Sequence, residues 1–354
     1  MGSRGRTGTD LQSRRTQCAV FLALIALLAG CATQPEPVTT PEPAPEPVVI
    51  PEPRIALALG GGAAKGFAHV GVIKALEAHD IIPDLIVGTS AGSVVASLYA
   101  AGYDGFELQR ISLSMDEEAV RDWVLPNRGF IRGDALQAFI NEAVQNRSIQ
   151  VLNRKLAVVA TDLQTGEPMV FQSGNTGRAV RASSSVPGIF RPVKIGTREY
   201  VDGGLVSPVP VRIARDLGAD IVIAVSISDV PQRNRVSDTF GILLQTFAIM
   251  GQVIAREELK EADVVISPDI RGLRSTSFDS RNYAIIEGEK AGLAAIEQVR
   301  AVIENFGKPP EPLADDVAGP TEDESLETGQ APWARHRPST TEYTLESQRK
   351  RSDF

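Results

Sequence analysis

The sequence is poor in cysteine and histidine, with two and three of them among 354 residues. Both cysteines, Cys18 and Cys31, stand in the first segment, which leaves the rest of the chain without a disulfide framework. The histidines, His69, His79 and His336, show no spacing that resembles a zinc site. We therefore expect neither a disulfide-stabilised fold nor a histidine-based metal centre.

The sequence also lacks an excess of basic residues. Lys and Arg number 36 against 44 Asp and Glu, and the formal net charge is -8. Nucleic-acid binding needs clustered Lys and Arg, and no basic stripe occurs in the central region, so a nucleic-acid partner is excluded. With 43% hydrophobic and 23% charged residues, the chain has the composition of a globular protein with one large α/β domain or two smaller ones.

The apolar run near the amino end, from Cys18 to Leu28, is too short to cross a bilayer as a helix of about 20 residues. Arginines precede it, as in a secretory signal peptide. The residues Leu28-Ala29-Gly30-Cys31 resemble the lipobox of bacterial lipoproteins, whose cysteine is lipidated and begins the mature protein. We expect residues 1–30 to be a signal peptide and Cys31 to be the membrane anchor. An ordinary signal peptide with an incidental cysteine is the alternative.

The segments that flank the expected domain have little capacity to form a core. Residues 31–53 repeat Pro-Glu pairs, which favour an extended polyproline II tether. Residue 32 is alanine rather than aspartate, which in a Gram-negative lipoprotein implies sorting to the periplasmic side of the outer membrane. Residues 307–354 are Pro-rich, acidic and then basic, and are expected to be disordered. The globular domain is therefore expected at residues 54–306.

A serine framed by glycines marks the centre of the domain. The run from Ile86 to Gly92 reads as a strand followed by Gly88-Thr89-Ser90-Ala91-Gly92, and a small-residue helix follows it. A Gly-x-Ser-x-Gly turn between a strand and a helix is typical of the nucleophile elbow, in which glycines permit a strained turn that exposes the serine hydroxyl. Ser90 is the candidate nucleophile, although the pentapeptide alone also occurs where a strand and a helix merely pack closely.

A second strand, glycine loop and helix unit lies upstream. Ile55 to Leu59 runs into Gly60-Gly61-Gly62-Ala63-Ala64-Lys65-Gly66, and a loop of this kind can hold an anion on its N–H groups. Its spacing fits neither the dinucleotide fingerprint nor the P-loop. An oxyanion hole for acyl transfer fits better. Lys65 either supports the loop or an anionic headgroup electrostatically, or is a solvated lysine, whereas His69 is expected to pack against the loop.

The scarcity of histidine removes the usual serine triad. The only histidine that follows Ser90 is His336, which falls in the polar C-terminal segment. Asp202, at a strand end followed by Gly203-Gly204, has the setting of an alternative base, although an ordinary Asp-Gly turn would look the same. A free aspartate is a weak base for a hydroxyl, so we expect the site to desolvate it partly.

Taken in order, Gly60-x-Gly62-Ala-x-Lys65-Gly66, Gly88-x-Ser90-x-Gly92 and Asp202-Gly203-Gly204 resemble the patatin-like phospholipases, specifically the bacterial branch related to neuropathy target esterase. The resemblance covers about Arg54 to Phe306. It implies a three-layer α/β/α fold with a mainly parallel sheet, and a lipid acyl hydrolase that uses a Ser-Asp dyad without a metal or another cofactor.

Residue by residue, the resemblance implies Ser90 as nucleophile and Asp202 as base, with Gly88 and Gly92 forming the elbow. The oxyanion hole would come from the N–H groups of the glycine loop, namely Gly60, Gly61, Gly62, Ala63, Ala64, Lys65 and Gly66. Many family members carry glycine where Ala63 stands, and we expect a modest geometric effect because alanine keeps its N–H.

Further stretches are assigned structural roles. The serine triplet Ser183-Ser184-Ser185 is expected to serve capping and loop chemistry, and Asp162 to support the site or make a turn. Strands are expected at 221–227 and 264–267, and a helix at 284–303. The apolar stretch 240–250 is expected to be a buried helix in preference to a lipid-facing lid or a dimer surface.

The expected function is hydrolysis of a phospholipid, a lysophospholipid or another acyl ester through an acyl-enzyme. Two alternatives stay open, namely an acyltransferase that uses the same dyad and a lipid-binding envelope lipoprotein without activity.

Overall fold

The computed structural model describes residues 52–115, 133–228, 239–271, 273 and 280–308. The expected signal peptide, Cys31 and almost all of the expected tether and tail lie outside these residues. The chain divides into two units, and the first ends at Phe306. Every helix and strand named below belongs to the first unit.

Eight strands form one sheet, and their bounds follow the apolar runs of the sequence. They are β1 (Ile55–Leu59), β2 (Leu85–Thr89), β3 (Lys155–Asp162), β4 (Pro168–Phe171), β5 (Val193–Ile195), β6 (Arg198–Asp202), β7 (Ile221–Val225) and β8 (Val264–Ile266). The central strand β1 is apolar at every position and β7 is fully buried, as expected for strands covered on both faces. The strands predicted at 221–227 and 264–267 are confirmed with slightly shorter bounds.

The helices in the described residues alternate with these strands. They are α1 (Phe67–Glu77), α2 (Ala91–Ala100), α3 (Gly105–Ser114), α4 (Asp134–Ala143), α5 (Thr176–Ser183), α6 (Val211–Asp216), α7 (Thr239–Glu258) and α8 (Arg281–Glu304). Short 3-10 turns at Ala63–Gly66 and Gly203–Leu205 follow β1 and β6. The helix predicted at 284–303 is confirmed as α8.

The strand order is β5-β6-β3-β2-β1-β7-β8, and β4 also pairs with β3. Strands β3, β2, β1, β7 and β8 are parallel, whereas β4 and β6 run antiparallel to β3. The carboxyl ends of the parallel strands therefore meet at one edge of the sheet, where ligands of open α/β sheets usually bind.

Side-chain alternation along the strands separates two hydrophobic clusters. In β1, Leu57 and Leu59 join the cluster that includes residues of α1, α2 and α8. Ala56 and Ala58 point into the opposite cluster, which is smaller and includes residues of α6. Helices thus cover both faces of the sheet, and the predicted three-layer α/β/α fold with a mainly parallel sheet is confirmed.

The helix predicted at 240–250 forms as part of α7, but its predicted burial is wrong. Ile249, Met250 and Val253 are 47%, 52% and 58% exposed. The inner side of the helix is nevertheless held down, because Ala255 and Glu258 are almost fully buried. The hydrophobic periodicity of the sequence does not distinguish a buried from an exposed face here, because α7 is apolar on both its inner and its outer face. None of the helices in the described ranges is long and apolar enough to cross a membrane.

Candidate active site

Ser90 occupies the turn between β2 and α2. Its backbone has φ 52 and ψ -122, a region that side chains rarely adopt, and the residue caps the amino end of α2. Such strain costs on the order of 1–3 kcal/mol and is characteristic of functional sites. The turn aims the serine away from the strand while the positive end of the helix dipole lies beneath it.

The two elbow glycines are required by close packing rather than by their dihedral angles. A Cβ atom on Gly92 would overlap the carbonyl oxygen of Leu59 at the end of β1, and one on Gly88 would lie 2.6 Å from the Cα atom of Ser93. Any larger residue would therefore separate β2 from α2, or α2 from β1. The pair lets the helix begin directly on top of the sheet edge.

The strand register brings Asp202 level with Ser90. Thr89 of β2 pairs with Val159 of β3, and the next residue of β3, Ala160, pairs with Asp202 of β6. Since β3 lies between β2 and β6, Ser90 and Asp202 approach each other across it, although 112 residues separate them in the sequence.

The two side chains are in direct contact. The Ser90 hydroxyl donates a hydrogen bond of 2.6 Å to Oδ2 of Asp202, and the N–H group of Gly204 donates one of 2.7 Å to Oδ1. The Asp202 main chain is fixed as well, because its carbonyl accepts the Thr161 hydroxyl at 2.8 Å and its N–H donates to Ser185 O at 3.0 Å. Both carboxylate oxygens thus have a defined orientation.

Burial changes the acidity of this carboxyl group. Asp202 is 1% exposed, and desolvation raises its pKa to about 6, against the opposing effect of the hydrogen bonds from Ser90 and Gly204. The expected desolvation of this aspartate is confirmed. A carboxylate with a pKa near 6 is a much better proton acceptor than a solvated one, while most of it is still ionised at neutral pH.

The glycine loop borders Ser90. A Cβ atom on Gly61 would lie 3.2 Å from the Ser90 Cβ, and one on Gly66 would lie 2.9 Å from the Ala91 Cβ. Three of its N–H groups are already bonded, since Gly60 donates to Val225 O, Gly61 to Pro208 O and Lys65 to Gly62 O. The first two bonds attach the loop to neighbouring segments and the third closes a turn within it. None of these three N–H groups is available to a ligand, so fewer loop N–H groups can act as oxyanion donors than predicted.

Ala63 has φ 50, in the left-handed region that favours glycine. The alanine at this position is therefore strained by about 1–2 kcal/mol, in addition to the modest geometric effect expected for it.

Two side chains beside the loop are buried. His69 is fully buried, and its Nε2 lies 2.8 Å from Gly60 O, which fits the expectation that it packs against the loop. Burial lowers the pKa of His69 to about 4, so the neutral ring donates Nε2–H to this carbonyl. Lys65 is 5% exposed, and the alternative of a solvated lysine is therefore wrong.

The serine triplet contributes a contact that the sequence did not reveal. The Ser183 hydroxyl accepts the Ser90 N–H at 2.8 Å and donates to Val159 O at 2.5 Å, so it ties the strained turn to β3. Ser185 donates to Arg181 O at 2.7 Å, which is ordinary helix-end bonding. Asp162 accepts the N–H groups of the turn that follows it, the role expected for it.

A cavity of about 150 Å³ opens beside Ser90. Its wall is almost entirely apolar and comes from α1, α2, α3, α4 and the segment after α5; representative residues are Phe67, Val94, Leu108, Leu136, Ile189 and Phe190. No sequence pattern marked this cavity, since its lining is spread over more than 120 residues of chain. It can take an apolar group attached to an atom that reacts with Ser90.

Among the described residues there is no group of three or more His, Cys, Asp and Glu side chains with the geometry to hold a metal ion. The fold and the site define a class of α/β protein that carries a serine–aspartate pair at the carboxyl edge of a mainly parallel sheet. Residues 57–215 match the family model described as patatin-like phospholipase. Residues 57–215 therefore form a patatin-like phospholipase domain, with relatives among the NTE proteins.

Three relatives illustrate the similarity. An "Uncharacterized NTE family protein" of Mycobacterium tuberculosis is 35% identical over 180 residues, which cover 49% of this chain and 49% of the relative. A second protein of that name and organism is 25% identical over 270 residues, 69% of this chain and 46% of the relative. The mouse "Patatin-like phospholipase domain-containing protein 6" is 35% identical over 182 residues, 49% of this chain and 13% of the relative. The matches span at most about half the length of these relatives.

Among solved structures, VipD from Legionella pneumophila is similar with a TM-score of 0.47 and 15% sequence identity, over 71% of this chain and 67% of that one. The heterodimeric ExoU-SpcU complex of Pseudomonas aeruginosa contains a similar chain, with a TM-score of 0.42 and 17% identity over 72% of this chain and 52% of that one.

Proposed function

We propose that the protein is a serine lipid acyl hydrolase, with Ser90 as nucleophile and Asp202 as base. The observation that carries the proposal is the 2.6 Å hydrogen bond from the Ser90 hydroxyl to Asp202, on a strained turn beside an apolar cavity. The match of residues 57–215 to the patatin-like phospholipase model supports the same chemistry.

In the proposed acylation step, Ser90 Oγ attacks the ester carbonyl while its proton moves to Asp202 Oδ2. The tetrahedral intermediate collapses, the bond to the leaving alcohol breaks, and the alkoxide oxygen takes the proton from Asp202. In the second step, water attacks the carbonyl carbon of the acyl-enzyme and gives a proton to Asp202. The bond to Ser90 Oγ then breaks, Ser90 Oγ takes that proton from Asp202, and the carboxylic acid leaves. The Asp202 carboxyl group can accept and return the proton in both steps because its pKa of about 6 lies close to neutral pH.

The proposed oxyanion hole draws on the N–H groups of Gly62, Ala63, Ala64 and Gly66, because those of Gly60, Gly61 and Lys65 are bonded within the fold. Donors held in advance at the position where negative charge develops lower the barrier by about 3–4 kcal/mol each. The His69 bond to Gly60 O supports this arrangement by fixing the start of the loop.

The cavity favours an acyl chain as the group that lies next to Ser90. Its apolar wall would leave a charged or polar group without hydrogen-bond partners, which is costly. The exposed apolar side chains of α7 favour a substrate presented at a lipid surface. The preferred substrate class is therefore a phospholipid, a lysophospholipid or a related acyl ester.

The proposal includes export and anchoring. The arginine-rich leader, the apolar run and Cys31 support a lipoprotein that is attached to a membrane through its lipidated cysteine. In a Gram-negative organism the domain would face the periplasm from the outer membrane. Labelling with radioactive palmitate and its loss in Cys31→Ser test this part separately.

The activity is tested by incubating the purified full chain with a defined mixture of phospholipids, lysophospholipids and acylglycerols, followed by mass spectrometry of the products. Released fatty acid supports hydrolysis, and a new ester supports acyl transfer. Ser90→Ala and Asp202→Asn are each expected to lose at least 10²–10⁴-fold in rate, the range of general base catalysis or more. Ser97→Ala is the matched control, because this buried serine of α2 bonds only to Val94 O within its own helix.

If Ser90→Ala retains the rate of the unchanged chain, the assignment of the nucleophile is wrong. If the unchanged chain binds these lipids but hydrolyses none of them, the protein is a lipid-binding protein and not a hydrolase.

A further inference from the structure

Glu258 is a buried carboxylate that the proposed mechanism does not use. It stands at the end of α7, is 4% exposed, and accepts two hydrogen bonds. Oε1 accepts the Ser207 hydroxyl at 2.5 Å, and Oε2 accepts the N–H group of Val209 at 3.1 Å. Burial of a carboxylate costs several kcal/mol, and two hydrogen bonds offset only part of that cost.

The partners of Glu258 belong to one short segment, Ser207-Pro208-Val209. This segment contacts the glycine loop directly, since Pro208 O accepts the Gly61 N–H at 2.9 Å. A Cβ atom on Gly60 would lie 3.0 Å from Val209 Cγ2, so the Val209 side chain also fits against the start of the loop. A shift of the segment would therefore shift the loop.

The same segment contacts the other two parts of the site. Ser207 O accepts the Thr89 hydroxyl at 2.8 Å, one residue before Ser90. The Ser207 N–H donates to Gly203 O at 2.9 Å, one residue after Asp202. The loop, the serine turn and the aspartate turn are thus each joined by one hydrogen bond to a segment that a single carboxylate holds in place.

We infer that Glu258 is a positioning residue that fixes the glycine loop relative to Ser90 and Asp202 through Ser207-Pro208-Val209. The inference rests on the proposed function, because it concerns the geometry of that reaction. The charged groups nearest to Glu258 are Arg212 and Glu261, which pair with each other at 2.7 Å, so the Glu258 carboxylate depends on Ser207 and Val209 for its bonding.

The position of Glu258 predicts which kinetic constant changes. Glu258 does not itself line the cavity beside Ser90, so its loss is expected to change substrate binding there less than it changes the chemical step. Misplacement of reacting groups by about 1 Å lowers a rate by about 10²-fold. Glu258→Gln, which keeps the size of the side chain, is therefore expected to lower kcat by about 10–100-fold and to change KM by less than about threefold.

The experiment measures kcat and KM of the full chain with a short-chain p-nitrophenyl ester for four proteins besides the unchanged one: Glu258→Gln, Ser207→Ala, their double variant and Glu257→Gln. Glu257 is the matched control, because this adjacent glutamate is exposed and bonds only to Lys260. The double variant is expected to lose about as much as the more impaired single variant, since both substitutions break one connection. Unchanged kcat in Glu258→Gln, or fully multiplicative losses in the double variant, overturns the inference.

A second measurement does not depend on activity. Amide hydrogen exchange of the peptide that covers residues 57–66 is expected to accelerate in Glu258→Gln and in Ser207→Ala, because the Gly61 bond to Pro208 O is weakened. Unchanged exchange in both variants overturns the inference even if the unchanged chain hydrolyses no ester, in which case the proposed function fails separately. Ser207→Ala leaves the carboxylate in place, so it keeps the test valid if Glu258→Gln does not fold.

Discussion

Ser90 and Asp202 face each other across strand β3, with 2.6 Å between Oγ and Oδ2. Neither residue lies on β3, but the pairing of β3 with β2 on one side and with β6 on the other decides that they meet. The parallel strand contributes the serine from its carboxyl end, and the antiparallel strand contributes the aspartate from its own carboxyl end. The distance between them is therefore set by the sheet and not by a flexible loop.

Asp202→Asn is expected to stabilise the fold at neutral pH. The pKa of Asp202 is about 6 in the folded protein and near 3.8 when solvated, so the folded state holds the proton more tightly. Stability consequently falls as the pH rises from about 4 to 6 and stays lower above that, by up to about 3 kcal/mol at about 1.4 kcal/mol per pKa unit. Asparagine does not titrate and avoids this loss.

Urea denaturation at pH 4 and pH 8 measures the difference, which should be near zero at pH 4 and largest at pH 8. The exposed Asp80 provides the control Asp80→Asn, for which no such gain is expected. A variant Asp202→Asn that is less stable than the unchanged chain at pH 8 would contradict the cost assigned to the buried charge.

The rate of ester hydrolysis is expected to rise with pH and to level off above about pH 7. The base must be ionised to accept the serine proton, so kcat/KM should follow the ionisation of Asp202, whose pKa burial raises to about 6. Glu258 is a second buried acid in this range, since burial raises its pKa to about 7.

Initial rates between pH 4.5 and 9 in buffers of constant ionic strength measure this profile. The variant Glu258→Gln separates the two groups, because the rise near pH 6 should persist in it. A flat profile from pH 5 to 8 would rule out Asp202 as the base.

Ser183→Ala is expected to weaken both stability and turnover. The substitution leaves the Ser90 N–H without its acceptor and Val159 O without its donor, and an unsatisfied buried group costs about 1–3 kcal/mol. The melting temperature in thermal unfolding and kcat should both decrease. Ser185→Ala is the comparison, since its hydroxyl bonds only to Arg181 O in the preceding helical turn. Equal effects of the two substitutions would mean that Ser183 has no special part in holding the serine turn.

The exposed face of α7 is expected to matter for aggregated substrates only. Ile249→Ser with Met250→Ser should change the free energy of unfolding by about 1 kcal/mol at most, about 0.5 kcal/mol for each, because both side chains are about half exposed. Hydrolysis of phospholipid in vesicles should fall several-fold, while hydrolysis of a dissolved short-chain ester stays the same. Leu293→Ser on α8, a side chain of similar exposure, controls for loss of apolar surface elsewhere. An equal loss on both substrates would argue against contact of α7 with lipid.

The parts of the site that lie close together in the sequence could be predicted from it. Each of the first two glycine motifs follows a run of apolar residues and precedes a helix, so the local pattern identifies the strand, the turn and the helix together. Asp202 is predicted only by elimination and by family resemblance, because a carboxylate at a strand end has no distinctive local pattern.

The interactions that span long stretches of sequence could not be predicted. Glu258 follows Ser207 by 51 residues and stands in a charged run that reads as a solvated helix end. Lys65 is buried although a lysine in a glycine loop is normally exposed. The apolar stretch of α7 predicts a helix, but its burial depends on neighbouring elements that are distant in the sequence and could not be predicted from it.

The hairpin of β5 and β6 reaches the site with only one of its ends. Its turn at Gly196 lies six residues before Asp202, about 20 Å away along an extended strand, and a Cβ atom on Gly196 would meet nothing within 4 Å. Residues can therefore be inserted at this turn without moving the carboxylate. The hairpin tip is therefore a suitable place for an epitope tag, a fluorophore or a crystallisation partner. An insertion there leaves the short contact between the Ser90 hydroxyl and the Asp202 carboxylate unchanged.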